Sequence, residues 1–126
     1  MKLTKIAVAA LLLIIGVVAL TACGRAVENV SVEVIVNGET IIYIEVANYS
    51  DNLVAYILTA NNDVLLIPQD QLNAGFITQI GGVVADWNNG EQWWRLEING
   101  VPATRGINDA RVSNGATITF IKVQGL

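Results

Sequence analysis

The sequence predicts an α+β domain in which a mixed sheet of about five strands carries one helix on one face. Three observations predict it. Segments of alternating apolar residues recur along the chain, Asn-Gly pairs at 37, 89, 99 and 114 punctuate it, and one stretch between them changes to helical period. Alternation sends successive side chains to opposite sides of a strand, Asn-Gly suits the tight turns between strands, and spacings of three and four gather apolar residues on one helix face.

The start of the chain has a different character. Lys2 and Lys5 precede an unbroken apolar run from Ile6 to Leu20, and Leu20, Thr21 and Ala22 lead into Cys23. A basic end followed by a short apolar run is the layout of a secretory signal. A membrane span needs roughly 20 apolar residues, and this run is shorter. Its end resembles the lipobox of bacterial lipoproteins, in which the cysteine is diacylated through its sulfur and becomes the new N-terminus after cleavage. The resemblance implies a signal peptide over 1–22, a lipidated tether over 23–29 and a folded domain over 30–126. That domain is then extracytoplasmic, held to the outer face of the bacterial cell membrane through diacylated Cys23. Cys23 is the chain's one cysteine, so no disulfide framework is available and an apolar core must hold the domain together.

Charge narrows the partners. From Cys23 onward, five basic residues (Arg25, Arg95, Arg105, Arg111, Lys122) face eleven acidic ones, a net charge near −6. Nucleic acid is bound through Lys and Arg contacts to phosphate, so an acidic domain without a basic cluster is expected to bind none.

The elements follow in order. In "VSVEVIV", Val30, Val32, Val34 and Val36 share one face; Asn37-Gly38 turns the chain and "TIIYIEV" returns. A two-residue loop pairs Val34 with Ile41 and Val32 with Tyr43. A three-residue loop that takes in Glu39 pairs Val34 with Ile42, Val32 with Ile44 and Val30 with Val46. The second register gives a wholly aliphatic face and is the one expected, since a one-residue slip reverses every side chain. In "SDNLVAYILTANN", Leu53, Val54, Ile57 and Leu58 recur at helical spacing, with Ser50 or Asp51 placed to cap the start and Asn61-Asn62 the end. Its β-branched residues make a strand the competing assignment; the spacing and caps favour about three turns of helix. "DVLLIPQDQLNAG" reads as a connection with one short extended piece, broken by Pro68. "FITQIGGV" reads as a strand ending at Gly81-Gly82, and "QWWRLEI" and "ATITFIKV" as the last two strands. The order strand, strand, helix, strand, strand, strand places a helix across one sheet face, a β-grasp-like arrangement that satisfies both apolar surfaces.

These later phrases carry a family resemblance. "GFITQIGGV", "WWRLEINGVPATRGI" and "VSNGATITFIKV" resemble the C-terminal domain shared by transcobalamin and intrinsic factor, which also occurs in bacterial surface lipoproteins as a domain of unknown function. Phe76, Ile77, Thr78, Ile80 and Gly82 match its first phrase, Trp94, Ile98, Asn99 and Gly100 its second, and Gly106-Ile107 its third. Gly115-Ala116-Thr117 departs, with alanine where the pattern has aspartate. The resemblance runs over about residues 30–123. It implies a structural core of Trp94, Phe76, Leu96, Ile98, Ile118 and Phe120. In transcobalamin this domain closes over cobalamin from one side, opposite an α-helical barrel that this sequence lacks.

Adjacent Trp93 and Trp94 cannot share a face of one strand. Trp94 has the parity of Leu96 and Ile98 and is expected in the core. Trp93 has the parity of Arg95 and Glu97 and is expected to face away. Two readings stand for it: plain cover for the outer sheet face beside Ile35, Ile41 or Tyr43, or, with Trp87 across the Asn88-Asn89-Gly90 turn and Arg105 from the neighbouring loop, a contact surface for a ligand or partner.

Catalysis finds little footing. There is no histidine, the lone thiol is taken by lipidation, and Asp51, Asp63, Asp70, Asp86 and Asp109 are scattered in loops without the spacing of a calcium loop. "IGGV" is no dinucleotide fingerprint, which needs a helix beginning at its glycines. A non-enzyme with no metal site is expected. Two classes of function remain: a small-ligand-binding module, with a corrinoid as the ligand that the resemblance implies, or a protein-interaction or adhesion module serving a surface or transporter protein.

Overall fold

A computed structural model describes residues 25–125. The expected signal peptide and Cys23 lie outside them.

The first two strands, β1 (Val27–Val36) and β2 (Glu39–Tyr49), form the expected antiparallel hairpin. β1 starts earlier than the alternation suggested, taking in Val27, Glu28 and Asn29 from the presumed tether. Val27 is buried and pairs with Tyr49, and that pairing ties the segment into the sheet. The two candidate registers are both present, joined by a bulge. At the tip Val36 pairs with Glu39 and Ile35 with Thr40, the geometry of a two-residue turn; deeper in, Val34 pairs with Ile42 and Val32 with Ile44. One extra residue in β2 makes the change and sends the aliphatic side chains to the core face. A further irregularity pairs Val30 with Ala47 instead of Val46.

Three helices follow: α1 (Val54–Ala60), α2 (Asn62–Leu65) and α3 (Gln69–Ala74). α1 buries Val54, Ile57 and Leu58, each contributing about 1.5–3 kcal/mol by leaving water. Its N-terminus is not capped by a side chain as expected. Leu53 holds the cap position, and the Val54 and Ala55 N–H groups donate to the carbonyls of Ala110 (2.9 Å) and Ile107 (3.0 Å). Asp51 instead accepts from the Leu53 N–H at 3.0 Å, a turn just before the helix. The stretch read as an extended connection is largely helical. Asn62 brackets Ile67, its amide nitrogen donating to the Ile67 carbonyl (2.9 Å) and its amide oxygen accepting from the Ile67 N–H (2.8 Å), so the chain bends at Leu66. Pro68 then precedes α3, where its fixed φ suits the helix entry, and left-handed Gly75 ends it.

"FITQIGGV" is not one long strand. Gln79–Ile80 (β3) and Val83–Val84 (β4) make a small hairpin about Gly81-Gly82, and Phe76 precedes it. A Cβ at Gly81 would come within 2.8 Å of the Ile42 side chain, so the turn lies directly against the large sheet. The remaining strands are β5 (Gln92–Ile98), β6 (Val101–Pro102) and β7 (Thr117–Gln124).

The large sheet is five-stranded and mixed, in the order β2-β1-β7-β5-β6. β1 and β7 run parallel in the middle; the other neighbours are antiparallel. This is the topology of a β-grasp, as the element order predicts. Val32 stands opposite Ile118 and Val34 opposite Phe120, and Phe120 and Ile118 lie opposite Leu96 and Ile98. One apolar face therefore runs across the three central strands. The helices and the small hairpin cover it, with Ile57, Leu58, Leu65 and Ile80 fully buried beneath them.

Candidate functional site

β5 decides the positions of the two tryptophans. Trp94 is buried at 8% exposure on the core face, and its indole Nε1–H donates to the Thr78 carbonyl at 3.1 Å. Trp93 is half-buried, and its Nε1–H donates to the Gly125 carbonyl at 2.8 Å, fixing the ring beside the end of β7. Arg95 and Glu97 on the same outer face form an ion pair at 2.9 Å.

Beside β5 the sheet edge opens into a cavity of about 530 Å³. β6 pairs only with Glu97 and Ile98, so on the side away from β7 Gln92 to Leu96 form a continuous wall without a neighbouring strand. A second wall comes from Phe76, Ile77 and Thr78 with Ala85 and Trp87; the third is the segment after β6, including Ala103, Arg105 and Gly106. Phe120 and Ile107 join the lining from the core.

Local hydrogen bonds hold these walls. Gln71 of α3 accepts the Thr78 N–H (2.8 Å) and the Gln79 N–H (3.2 Å), and its amide nitrogen donates to the Thr78 hydroxyl at 2.8 Å. The Thr78 carbonyl accepts from the Ala85 N–H (2.8 Å) as well as from Trp94. The third wall is fixed where Ile107 and Ala110 receive the first N–H groups of α1.

Trp87, Trp93 and Arg105, the sequence-derived contact residues, all border this one cavity. Of the expected core, Trp94, Ile118 and Phe120 are buried, and Leu96 and Ile98 are half-buried against it. Phe76 is not core: it is 71% exposed and stands at the cavity. Its place in a motif full of core residues suggested burial, but it follows the helix-ending Gly75 and precedes the hairpin, on neither apolar face. The wall-forming contacts of Gln71 and Thr78 carry no sequence signal, because they join segments that periodicity treats separately.

The cavity lining is aromatic and aliphatic, with Arg105 exposed at its rim. Such concave apolar sites with a few polar groups are the usual form of small-molecule sites. Among the described residues, no three His, Cys, Asp or Glu side chains are grouped to hold a metal ion.

The protein is thus a β-grasp domain with an open aromatic cavity at one sheet edge. The chain belongs to the family described as a domain of unknown function, DUF4430, which matches residues 51–121. No curated protein matches the sequence. Among solved structures, the fold is similar to that of a Ruminococcus gnavus protein suggested to bind metal, with 18% identity and a TM-score of 0.59 over 79% of this chain and 99% of that one. It is also similar to haptocorrin in complex with Cbi (cobinamide), with 22% identity and a TM-score of 0.60 over 81% of this chain. This chain corresponds to 26% of the haptocorrin chain. At these identities the likeness is one of fold.

Proposed function

We propose that this protein is a lipid-anchored, extracytoplasmic module that binds a ligand with a flat face beside β5, with corrinoids the first class to test. The observation that carries the reading is the pair of exposed aromatic side chains, Phe76 at 71% and Trp87 at 47%, at an apolar cavity of about 530 Å³. Leaving such rings in water forgoes burial worth about 1.5–3 kcal/mol for a Phe side chain, which a ligand recovers. Haptocorrin's bound cobinamide supports the corrinoid choice. A corrinoid is larger than this cavity, so the domain grips one edge of it, and a partner must cover the rest if binding is to be tight.

Placement in the fold favours access from outside. β1 enters the sheet at Val27, four residues after the expected lipidation site Cys23. Ile35 near the other end of β1 pairs with Ile121, and Trp94 pairs with Lys122, the next residue. The tryptophan end of the cavity therefore lies about 30 Å along the sheet from the entry point, at about 3.3 Å per residue. Nothing in the site assembles a catalytic base with a nucleophile, and the proposed role is binding without chemistry.

A thermal-shift panel on the purified protein tests this. A ligand at a hundred times its Kd stabilises by about 2.7 kcal/mol, a rise of about ten degrees or more for a domain of this size. Cobinamide is expected to raise the midpoint. A panel of corrinoids and of flat aromatic ligands that leaves it unmoved contradicts the reading.

A further inference from the structure

The wall formed by β5 has polar groups that the aromatic lining does not explain. β5 runs against β7 without a register break, from Gln92 opposite Gln124 to Ile98 opposite Ile118. Main-chain groups on a strand alternate in direction. The Glu91 carbonyl accepts from the Gly125 N–H and the Asn99 N–H donates to the Thr117 carbonyl, so odd-numbered residues address β7. The main chains of Gln92, Trp94, Leu96 and Ile98 therefore address the open side.

Part of that side is already satisfied. The Gln92 N–H donates to the Asp86 carbonyl at 3.3 Å, the Leu96 carbonyl accepts from the Ala103 N–H at 2.9 Å, and Ile98 pairs with Val101. Between these points the Gln92 carbonyl, both main-chain groups of Trp94 and the Leu96 N–H have no hydrogen-bond partner among the described residues. They stand in ladder spacing along the wall of the cavity. A parallel segment of about three residues, opposite Trp93 to Arg95, satisfies all four groups without displacing Asp86 and Ala103, which already pair with Gln92 and Leu96.

The sheet's other edge is a poorer template. β2 changes register against β1 more than once, and such bulges twist an edge away from further pairing. The β5 edge is regular, and its side-chain surroundings select an occupant. A residue opposite Trp94 puts its side chain on Trp94's face, inside the apolar cavity. At the Leu96 end stands Arg105, exposed and without an ion pair among the described residues, on a chain of net charge −4.

We propose that the β5 edge accepts an extended peptide segment of a partner protein by strand addition, with an apolar side chain entering the cavity beside Trp94 and an acidic residue meeting Arg105. Main-chain pairing supplies the affinity and the alternate side-chain contacts the selectivity. The peptide's apolar side chain takes the cavity proposed for the small ligand, so the two compete, but the main-chain pairing with β5 does not depend on that ligand reading.

The test pans the full chain, in detergent micelles, against a phage-displayed random-peptide library and resynthesises the enriched peptides. Expected are sequences with an acidic residue near an apolar one, and amide-exchange rates at Trp94 and Leu96 that fall about tenfold or more when the peptide is bound, read by NMR. N-methylation of one alternate set of peptide amides is expected to weaken binding about tenfold, and Arg105→Ala to weaken it severalfold. Three outcomes overturn the proposal: no enrichment over protein-free micelles, bound peptides that leave both exchange rates unchanged, or affinity indifferent to N-methylation at every position.

Discussion

The indole Nε1–H of Trp94 and the main-chain N–H of Ala85 meet at one acceptor, the Thr78 carbonyl, at 3.1 and 2.8 Å. A core side chain on β5 thereby fixes the loop that forms the opposite wall of the cavity. Stability and site shape are linked at that oxygen, and the first two predictions follow from the link.

Trp94→Ala is expected to cost about 3–5 kcal/mol, the usual range for emptying a buried aromatic position. Trp93→Ala is expected to cost about 1 kcal/mol, since half-burial and the bond to Gly125 are all it loses. Denaturant melts of the two variants measure the difference, and equal losses contradict the assignment of faces.

Gln71→Ala removes both acceptor bonds to the Thr78 and Gln79 N–H groups and the donor bond to the Thr78 hydroxyl. About 1–3 kcal/mol is expected. Hydrogen exchange at the Thr78 and Gln79 amides is expected to rise well above that of the β1–β7 ladder. Unchanged exchange there shows that the bonds at the Thr78 carbonyl hold the wall without Gln71.

Gly81 has φ +60°, and an added Cβ would meet the Ile42 Cδ1 at 2.8 Å, whereas Gly38 at φ +80° has nothing within 4 Å. Alanine strains the backbone at both positions, but only at Gly81 does it also collide with a packed side chain. Gly81→Ala is expected to be the more destabilising by about 1 kcal/mol or more, with part of the loss recovered in combination with Ile42→Val. Thermal melts compare the variants.

Much of the architecture was legible in the sequence, because strand alternation and helical spacing are local signals. Parity with Leu96 and Ile98, together with the family motif, placed Trp94 inside, and the demand for an aliphatic face paired Val34 with Ile42. What escaped the sequence was decided by contacts between distant segments. The start of α1 is satisfied by the carbonyls of Ile107 and Ala110, so Ser50 and Asp51 were misleading caps. The bulge in β2 reconciles a tip geometry with a core register, and neither pattern alone reveals it. Trp87, Trp93 and Arg105 border one cavity, and strand parity with closeness across the turns is what grouped them in the sequence. Phe76 was misassigned because a motif position says nothing of which way a loop residue points.

Cys23→Ser is expected to abolish acylation, given the box from Leu20 to Cys23 behind a basic, apolar leader. Cells labelled with radioactive palmitate report it directly: label in the wild-type protein and none in the variant. Label on the Cys23→Ser protein contradicts the anchored reading.

Calorimetric titration of the wild-type chain and of a Phe76→Ala/Trp87→Ala double variant with cobinamide tests the central claim most directly. Both side chains are exposed, so the double variant is expected to melt within about 1 kcal/mol of wild type. Saturable binding by wild type that weakens about tenfold or more in the stable double variant is the predicted result. No saturable binding by wild type, or equal affinity in the variant, contradicts it.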